Sequence, residues 1–306
     1  MTEKQTEENM LMEFIADTCF IDIEKKIDYP PTAISYGEKV LHSDKGDTIV
    51  PIGICTYGNI STITAPPKTR KSFFCSLLAS AYLSGSNIYG GLIKGHRGNG
   101  SLIHIDTEQS NYHASRVFQR PLQMDSKIPK DKYNTFALRT ISYVDRLKFL
   151  EYYLRENIKE PSLVILDGVA DMCNDVNDIK SCNSLVSALM RISQQNNCHI
   201  INVIHQNFGS AKLGTGHLGS FLEKKAETVI QLETNTTNKE WITAICKRSR
   251  GYSFETFSFS VNDFGLPYVV GNLYDPLEDF VIKKTINKRS RSFQSIPRRL
   301  RNRRGP

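Results

Sequence analysis

Residues 63–74 read ITAPPKTRKSFF (Ile63–Phe74). A β-branched run, Ile60–Thr64, leads into this stretch. Ser72–Leu83 leads out of it, with Phe73, Leu77, Leu78 and Ala81 at helical spacing. Strand, turn and helix in that order frame a phosphate-binding loop, where backbone N–H groups at a helix N-terminus meet an anion. Set against G-x-x-x-x-G-K-[ST], Ala65 stands at the first glycine, Arg70 at the second, and Lys71-Ser72 match. Lys71 offers a cation for β- and γ-phosphates, and Ser72 a hydroxyl for Mg²⁺. The absent glycines are a departure: if the position of Arg70 needs φ > 0, a side chain there costs about 1–2 kcal/mol. On the loop alone, a nucleotide site and an exposed basic turn stand side by side. Lys68 and Arg70 fit either reading, as phosphate contacts or as solvated cations.

Outward from the loop, short apolar runs alternate with helix-like stretches. Leu102–Ile105, Leu163–Leu166 and Ile200–Ile204 read as strands. Asp145–Glu156 carries Leu147, Leu150 and Leu154 on one helical face, and Leu185, Leu189 and Ile192 make another stripe. Near-continuous apolar strands alternating with helices predict a mainly parallel sheet with helices on both faces. After Ala226 the rhythm becomes strand after strand: Thr228–Leu232, Trp241–Lys247, Phe254–Val261 and Tyr268–Val270, with a hairpin loop at Asn235–Asn238. These predict antiparallel strands added at the C-terminal edge. Residues 1–45 read as an N-terminal extension, 46–275 as the core and 276–306 as a basic, disordered tail.

Polar groups fall at the tips of the predicted strands, where open α/β sheets bind ligands. LIHIDTEQS ends in Asp106 and Glu108; Glu108 can orient and deprotonate a water, or be a solvated loop residue. SLVILDGVAD runs into Asp167, and a carboxylate ending a buried strand is costly unless it serves a cation or a hydrogen-bond network. That favours an Mg²⁺ role beside Ser72. HIINVIHQN ends in His205, Gln206 and Asn207. The amide of Gln206 suits a γ-phosphate contact, whereas His205 by itself reads as a satisfied core histidine. The following FGSAKLGTGHLGSFLEKKAE, with Gly209, Gly214, Gly216 and Gly219, reads as a mobile loop. Lys212 and His217 in it could touch DNA, or the loop could be merely flexible. CKRSRG delivers Lys247, Arg248 and Arg250 to a sheet edge, either for a neighbouring subunit's nucleotide or for solvent and phosphate backbone.

Charge is divided along the chain. The 306 residues carry 39 Lys+Arg and 32 Asp+Glu, but ten of the cations lie from Lys283 onward, a segment without acids. The remainder has 29 cations against 32 anions, so the body is slightly acidic. This excludes a uniformly basic nucleic-acid coat. The tail, with Arg298, Arg299 and Arg301, suits salt-sensitive, sequence-independent phosphate contact, with a solubilising tail as the bland reading. No apolar run approaches a membrane span. A polar, acidic N-terminus and seven scattered cysteines without a C-x-x-C pair fit a reduced, cytoplasmic chain.

Taken in order, ITAPPKTRKS, HIDTEQ, LVILDG, NVIHQN and CKRSRG resemble the RecA-type P-loop ATPase core. The resemblance covers about Ile52–Val270 and looks nearest to the RepA-like, hexameric-helicase-related branch of plasmids, phages and other mobile elements. It implies ATP and Mg²⁺ as cofactors, held by the loop Ala65, Pro66, Pro67, Lys68, Thr69, Arg70, Lys71, Ser72 and Phe73. Ser72 and Asp167 are implied as the metal's residues, Glu108 as water activator, Gln206 as sensor, and Lys247 or Arg250 as residues acting in trans. It also implies homo-oligomers, rings (a hexamer among them) or filaments, and single-stranded DNA as partner. Three readings follow. One is a helicase-like, DNA-associated ATPase in replication or mobilisation. The second is a nucleotide switch that regulates or loads DNA partners with little hydrolysis. The third is a KaiC-like or recombinase-like regulator.

Overall fold

The computed structural model describes residues 3–44, 46–206 and 214–271. The chain divides into two compact units between Pro30 and Pro31. The first contains one helix, α1 (Glu3–Cys19), on which Met10, Leu11, Met12, Phe14 and Ile15 are all exposed.

The second unit begins with β1 (Thr32–Leu41) and β2 (Thr48–Thr56), which pair antiparallel. Then come β3 (Ile60–Ala65), α2 (Lys71–Ser84), β4 (Ile93–Gly95), β5 (Leu102–Asp106), α3 (Asn111–Met124), β6 (Tyr133–Ala137), α4 (Tyr143–Asn157) and β7 (Ser162–Asp167). The chain continues through α5 (Ile179–Gln195), β8 (Cys198–His205), α6 (Gly216–Lys225), β9 (Thr228–Thr234), β10 (Ile242–Ser249), β11 (Phe257–Val261) and β12 (Pro267–Val269). The main sheet runs β12-β11-β10-β9-β3-β8-β7-β5-β6. Its neighbours from β9 to β6 are parallel, and β10, β11 and β12 add antiparallel beyond β9. The fold class read from the sequence therefore holds.

Period-two alternation in the strands makes two cores. Leu163, Ile165, Ile201 and Val203 face one side with Phe74, Leu77 and Leu78 of α2. Val164, Leu166, Ile200 and Ile204 face the other with Leu150 of α4, Leu189 of α5 and Leu218 of α6. Both faces are covered, so these strands are apolar throughout. The helices start where short polar side chains can cap them: Ser142 Oγ accepts from Asp145 N for α4, and the Asp178 side chain accepts from Ser181 N for α5.

Three features depart from the sequence reading. Residues 31–45 are not all extension: β1 lies within the second unit, between β2 and β4 in a separate three-stranded sheet, and Tyr36 stacks on Phe257 at 4.3 Å between ring centres. Polar β1 residues hid its buried first half. The glycine-rich segment contains the helix α6, and its glycines permit close packing. A Cβ on Gly219 would lie 2.1 Å from the carbonyl carbon of Gly214. Residues 276–306, with Arg298, Arg299 and Arg301, and Lys212 lie outside the described residues. Among the described residues, no helix is long and apolar enough to cross a membrane.

Gly219→Ala should separate α6 from the strand-like bridge of Gln206 and Gly214. A loss of about 1–3 kcal/mol, the usual cost of overpacking, is expected in urea unfolding.

Candidate nucleotide site

Parallel pairing lines up the strand tips. Asp106 lies opposite Asp167, Asp167 opposite Val203, and Ala65 opposite His205. The ends of β5, β7, β8 and β3 thus form one row, with the loop 66–70 and the start of α2 above it.

The loop is built without its glycines. Pro66, Pro67 and Lys68 are exposed, and buried Thr69 donates from Oγ1 to the Pro66 carbonyl at 2.7 Å, closing the turn. Lys68 (φ 64°) and Arg70 (φ 55°) occupy the left-handed region. The positive φ expected of the second glycine position is therefore met by an arginine. Left-handed residues in a short turn gather N–H groups into an anion-binding concavity. Arg70 is held by Nη1–H donation to the Glu240 carbonyl at 2.9 Å. Its own carbonyl accepts from the N–H groups of Phe73 and Phe74 and starts α2. Phe73 lies under the guanidinium of Arg120 at 3.8 Å, whose Nη1 is buried without a hydrogen-bond partner.

Ser72 Oγ donates to Asp167 Oδ2 at 2.7 Å. Asp167 is only 6% exposed. Burial, with the charges of Asp106 and Glu108, pushes its carboxyl up to about 6 despite the Ser72 hydrogen bond. A buried carboxylate paired only with a hydroxyl is short of positive charge. Two hard oxygens side by side beneath a phosphate-type loop fit Mg²⁺.

Glu108 stands on a loop that Asp106 organises. The Asp106 carboxylate accepts from the N–H of Glu108 (3.0 Å), the N–H of Gln109 (2.7 Å) and Gln109 Nε2 (2.7 Å). Its oxygens are used in scaffolding, which leaves Glu108 as the carboxylate facing the loop. Thr107 clips this loop to β7, its N–H donating to the Asp167 carbonyl and Oγ1 to the Gly168 carbonyl. Gly168 has φ 103°, and a Cβ there would lie 2.3 Å from Thr107 Oγ1 and 2.9 Å from Glu108 Cγ. Gln206 donates its N–H to the Ala65 carbonyl at 2.9 Å, and its buried side-chain Nε2 has no hydrogen-bond partner. An unpartnered amide donor beside the loop is what an anion contact requires.

His205 corrects the core-histidine reading. Its side chain is 39% exposed, with Nδ1 2.9 Å from Lys71 Nζ and Nε2 3.5 Å from Glu108 Oε1. Contact with His205 is the main influence lowering Glu108 from the ordinary glutamate value, and burial opposes it. Burial lowers Lys71, and the charges of Glu108 and Asp167 oppose that.

Other expected residues lie elsewhere. Lys247 Nζ pairs with the buried carboxylate of Glu223 at 3.0 and 3.1 Å. Arg250 is exposed and donates to the Lys225 carbonyl. Ser249 lies opposite Thr228, which pairs with Ser61 near the start of β3, so Arg250 sits at the sheet end away from the loop. His217 is exposed on α6.

A carboxyl raised in the folded chain binds its proton more tightly there than in the unfolded chain. Its penalty is complete above the folded value and fades as pH falls toward the unfolded value. For Asp167, at about 6 against 3.8, that amounts to about 3 kcal/mol. Metal-free Asp167→Asn should therefore be more stable than the parent at about pH 8 by up to about 3 kcal/mol, and equal near pH 4. Urea unfolding across that range measures it.

Comparison with known proteins follows the geometry. A family model described as an AAA domain matches residues 46–211, more than half of the chain. A solved helicase ATPase domain aligns with a TM-score of 0.50 at 13% identity, over 69% of this chain and 84% of that one. The flagellar accessory protein FlaH from Methanocaldococcus jannaschii aligns at 0.47 and 17% identity, over 71% and 91% of the two chains. The RadB recombinase aligns at 0.47 and 14%, over 70% and 91%. No curated protein sequence matches. The chain belongs to the AAA domain family AAA_25 and is a RecA-like P-loop ATPase by fold and family.

Proposed function

We propose that this chain binds ATP with Mg²⁺ and hydrolyses it as an oligomeric, DNA-associated, helicase-like ATPase serving replication or mobilisation of a plasmid, phage or transposon. The convergence of Lys71, Ser72, Asp167, Glu108 and Gln206 at the tips of four adjacent strands carries the nucleotide part of this reading. The mobile-element setting comes from the sequence resemblance, and the DNA partner from the same source and the basic tail.

The residues divide the work by their chemistry. The loop N–H groups and Lys71 hold phosphate oxygens. Ser72 and Asp167 hold the metal, which when bound would neutralise charge gathering on those oxygens. Glu108, ionised and facing the loop, orients a water and takes its proton. Gln206 presents its free amide N–H beside Ala65 to a terminal phosphate oxygen. Arg250, exposed at a far edge, is placed for a neighbouring copy, whereas Lys247 would first have to leave Glu223.

The strained loop supports a second reading. With Lys68 and Arg70 in left-handed geometry instead of glycine, a nucleotide-dependent regulator or loader of DNA partners that turns over little is the alternative.

Steady-state ATPase with and without single-stranded DNA separates the two. DNA-stimulated turnover is expected, lost in both Lys71→Ala and Glu108→Gln. Nucleotide binding without turnover in the parent chain would replace the motor by the switch. Removing residues 283–306 should weaken DNA binding and flatten its salt dependence while basal ATPase persists. An unchanged salt slope would remove the tail from the DNA contact.

A further inference from the structure

Among the described residues of the site, His205 is the one that touches both the lysine and the carboxylate. Its carbonyl is fixed by two donors from the start of α6, Thr215 N–H at 2.9 Å and Thr215 Oγ1 at 2.8 Å. Its ring lies between Lys71 Nζ on the Nδ1 side and Glu108 Oε1 on the Nε2 side.

The partners determine the tautomer. An ammonium has donors only, so Nδ1 must accept from Lys71. The ring proton then sits on Nε2, facing the Glu108 carboxylate, an acceptor. One neutral imidazole thus satisfies a cation on one side and an anion on the other. A proton on Nδ1 would set donor against donor at 2.9 Å.

We propose that His205 is a positioning residue that links the phosphate-holding Lys71 to the water-orienting Glu108. Nδ1 parks the lysine in the nucleotide-free chain, and Nε2–H aims the carboxylate. A polyphosphate that draws Lys71 away removes the donor at Nδ1, so occupancy of the loop is registered at the ring that supports Glu108. The proposal rests on the nucleotide reading above and adds a coupling between two of its residues.

Two measurements test it, one independent of turnover. With ¹⁵N-labelled histidine in the full chain at alkaline pH, His205 should show an unprotonated, hydrogen-bonded Nδ1 and a protonated Nε2. Its signal is identified by its loss in His205→Gln. Lys71→Ala, or a non-hydrolysable ATP analogue with Mg²⁺, should move the Nδ1 resonance. A proton on Nδ1, or a resonance indifferent to Lys71→Ala, overturns the link.

The second measurement is kinetic. His205→Ala should lower kcat about tenfold with KM changed less than about threefold. Gln places its amide near the position of Nε2 and should restore most of kcat. Asn places its amide near Nδ1 and should not. Equal loss in the Ala and Gln variants, or an unchanged kcat in Ala, overturns the role. If the parent chain binds the analogue but does not turn over, the hydrolysis reading fails, and the imidazole resonances alone decide whether the link exists.

Discussion

The site depends on register in a parallel sheet. Each strand must be paired to within one residue, because a one-residue slip turns every side chain to the opposite face. With Asp106 opposite Asp167 and Ala65 opposite His205, the strand tips and the loop meet in one row. The same alternation assigns Val164 and Leu166 to one core and Leu163 and Ile165 to the other. The packing that fixes the register therefore also fixes the chemistry. Ser72 can reach Asp167 because α2 leaves the loop directly above β7's end.

Polar groups near this row fall into two kinds. Asp106, Thr107 and Gly168 are scaffold: the first spends its oxygens on N–H groups, the second bridges two loops, and the third leaves room for them. Asp167, Gln206 and Lys71 are left incompletely served, by a lone hydroxyl, by no partner at the side-chain amide nitrogen, and by a histidine. A buried group that is under-served costs stability in the empty protein. Such groups cluster where an anion and its cation would serve them all at once.

Sequence made the central strands and the candidate roles of Lys71, Ser72 and Asp167 legible, because buried parallel strands are apolar runs and their tips are abrupt changes to polar residues. It gave less at the margins. The helix α3 carries Asn111, Arg116, Gln119 and Pro121, a polar composition with a helix breaker, and only Ala114, Val117, Phe118, Pro121 and Met124 are buried. The edge strand β6, half-exposed along its length, has no apolar run to betray it. Glycines in α6 advertise mobility but serve close approach to Gly214. His205 is invisible in the sequence as a bridge, since Lys71 and Glu108 stand 134 and 97 positions away in the chain and only folding brings them together. The basic residues of CKRSRG are legible as cations but not as to their partners, because the pairing of Lys247 with Glu223 is a tertiary contact.

Arg70 gives the loop an unusual thermodynamic character. A glycine there would be free of strain when folded but would bring the largest backbone freedom to the unfolded chain. An arginine reverses part of that balance. It carries left-handed strain when folded, yet its backbone has fewer conformations to surrender, and the side chain fastens to Glu240 at the turn joining β9 and β10. The loop is thereby preorganised by a tether from the antiparallel edge of the sheet instead of being shaped by the ligand that enters it.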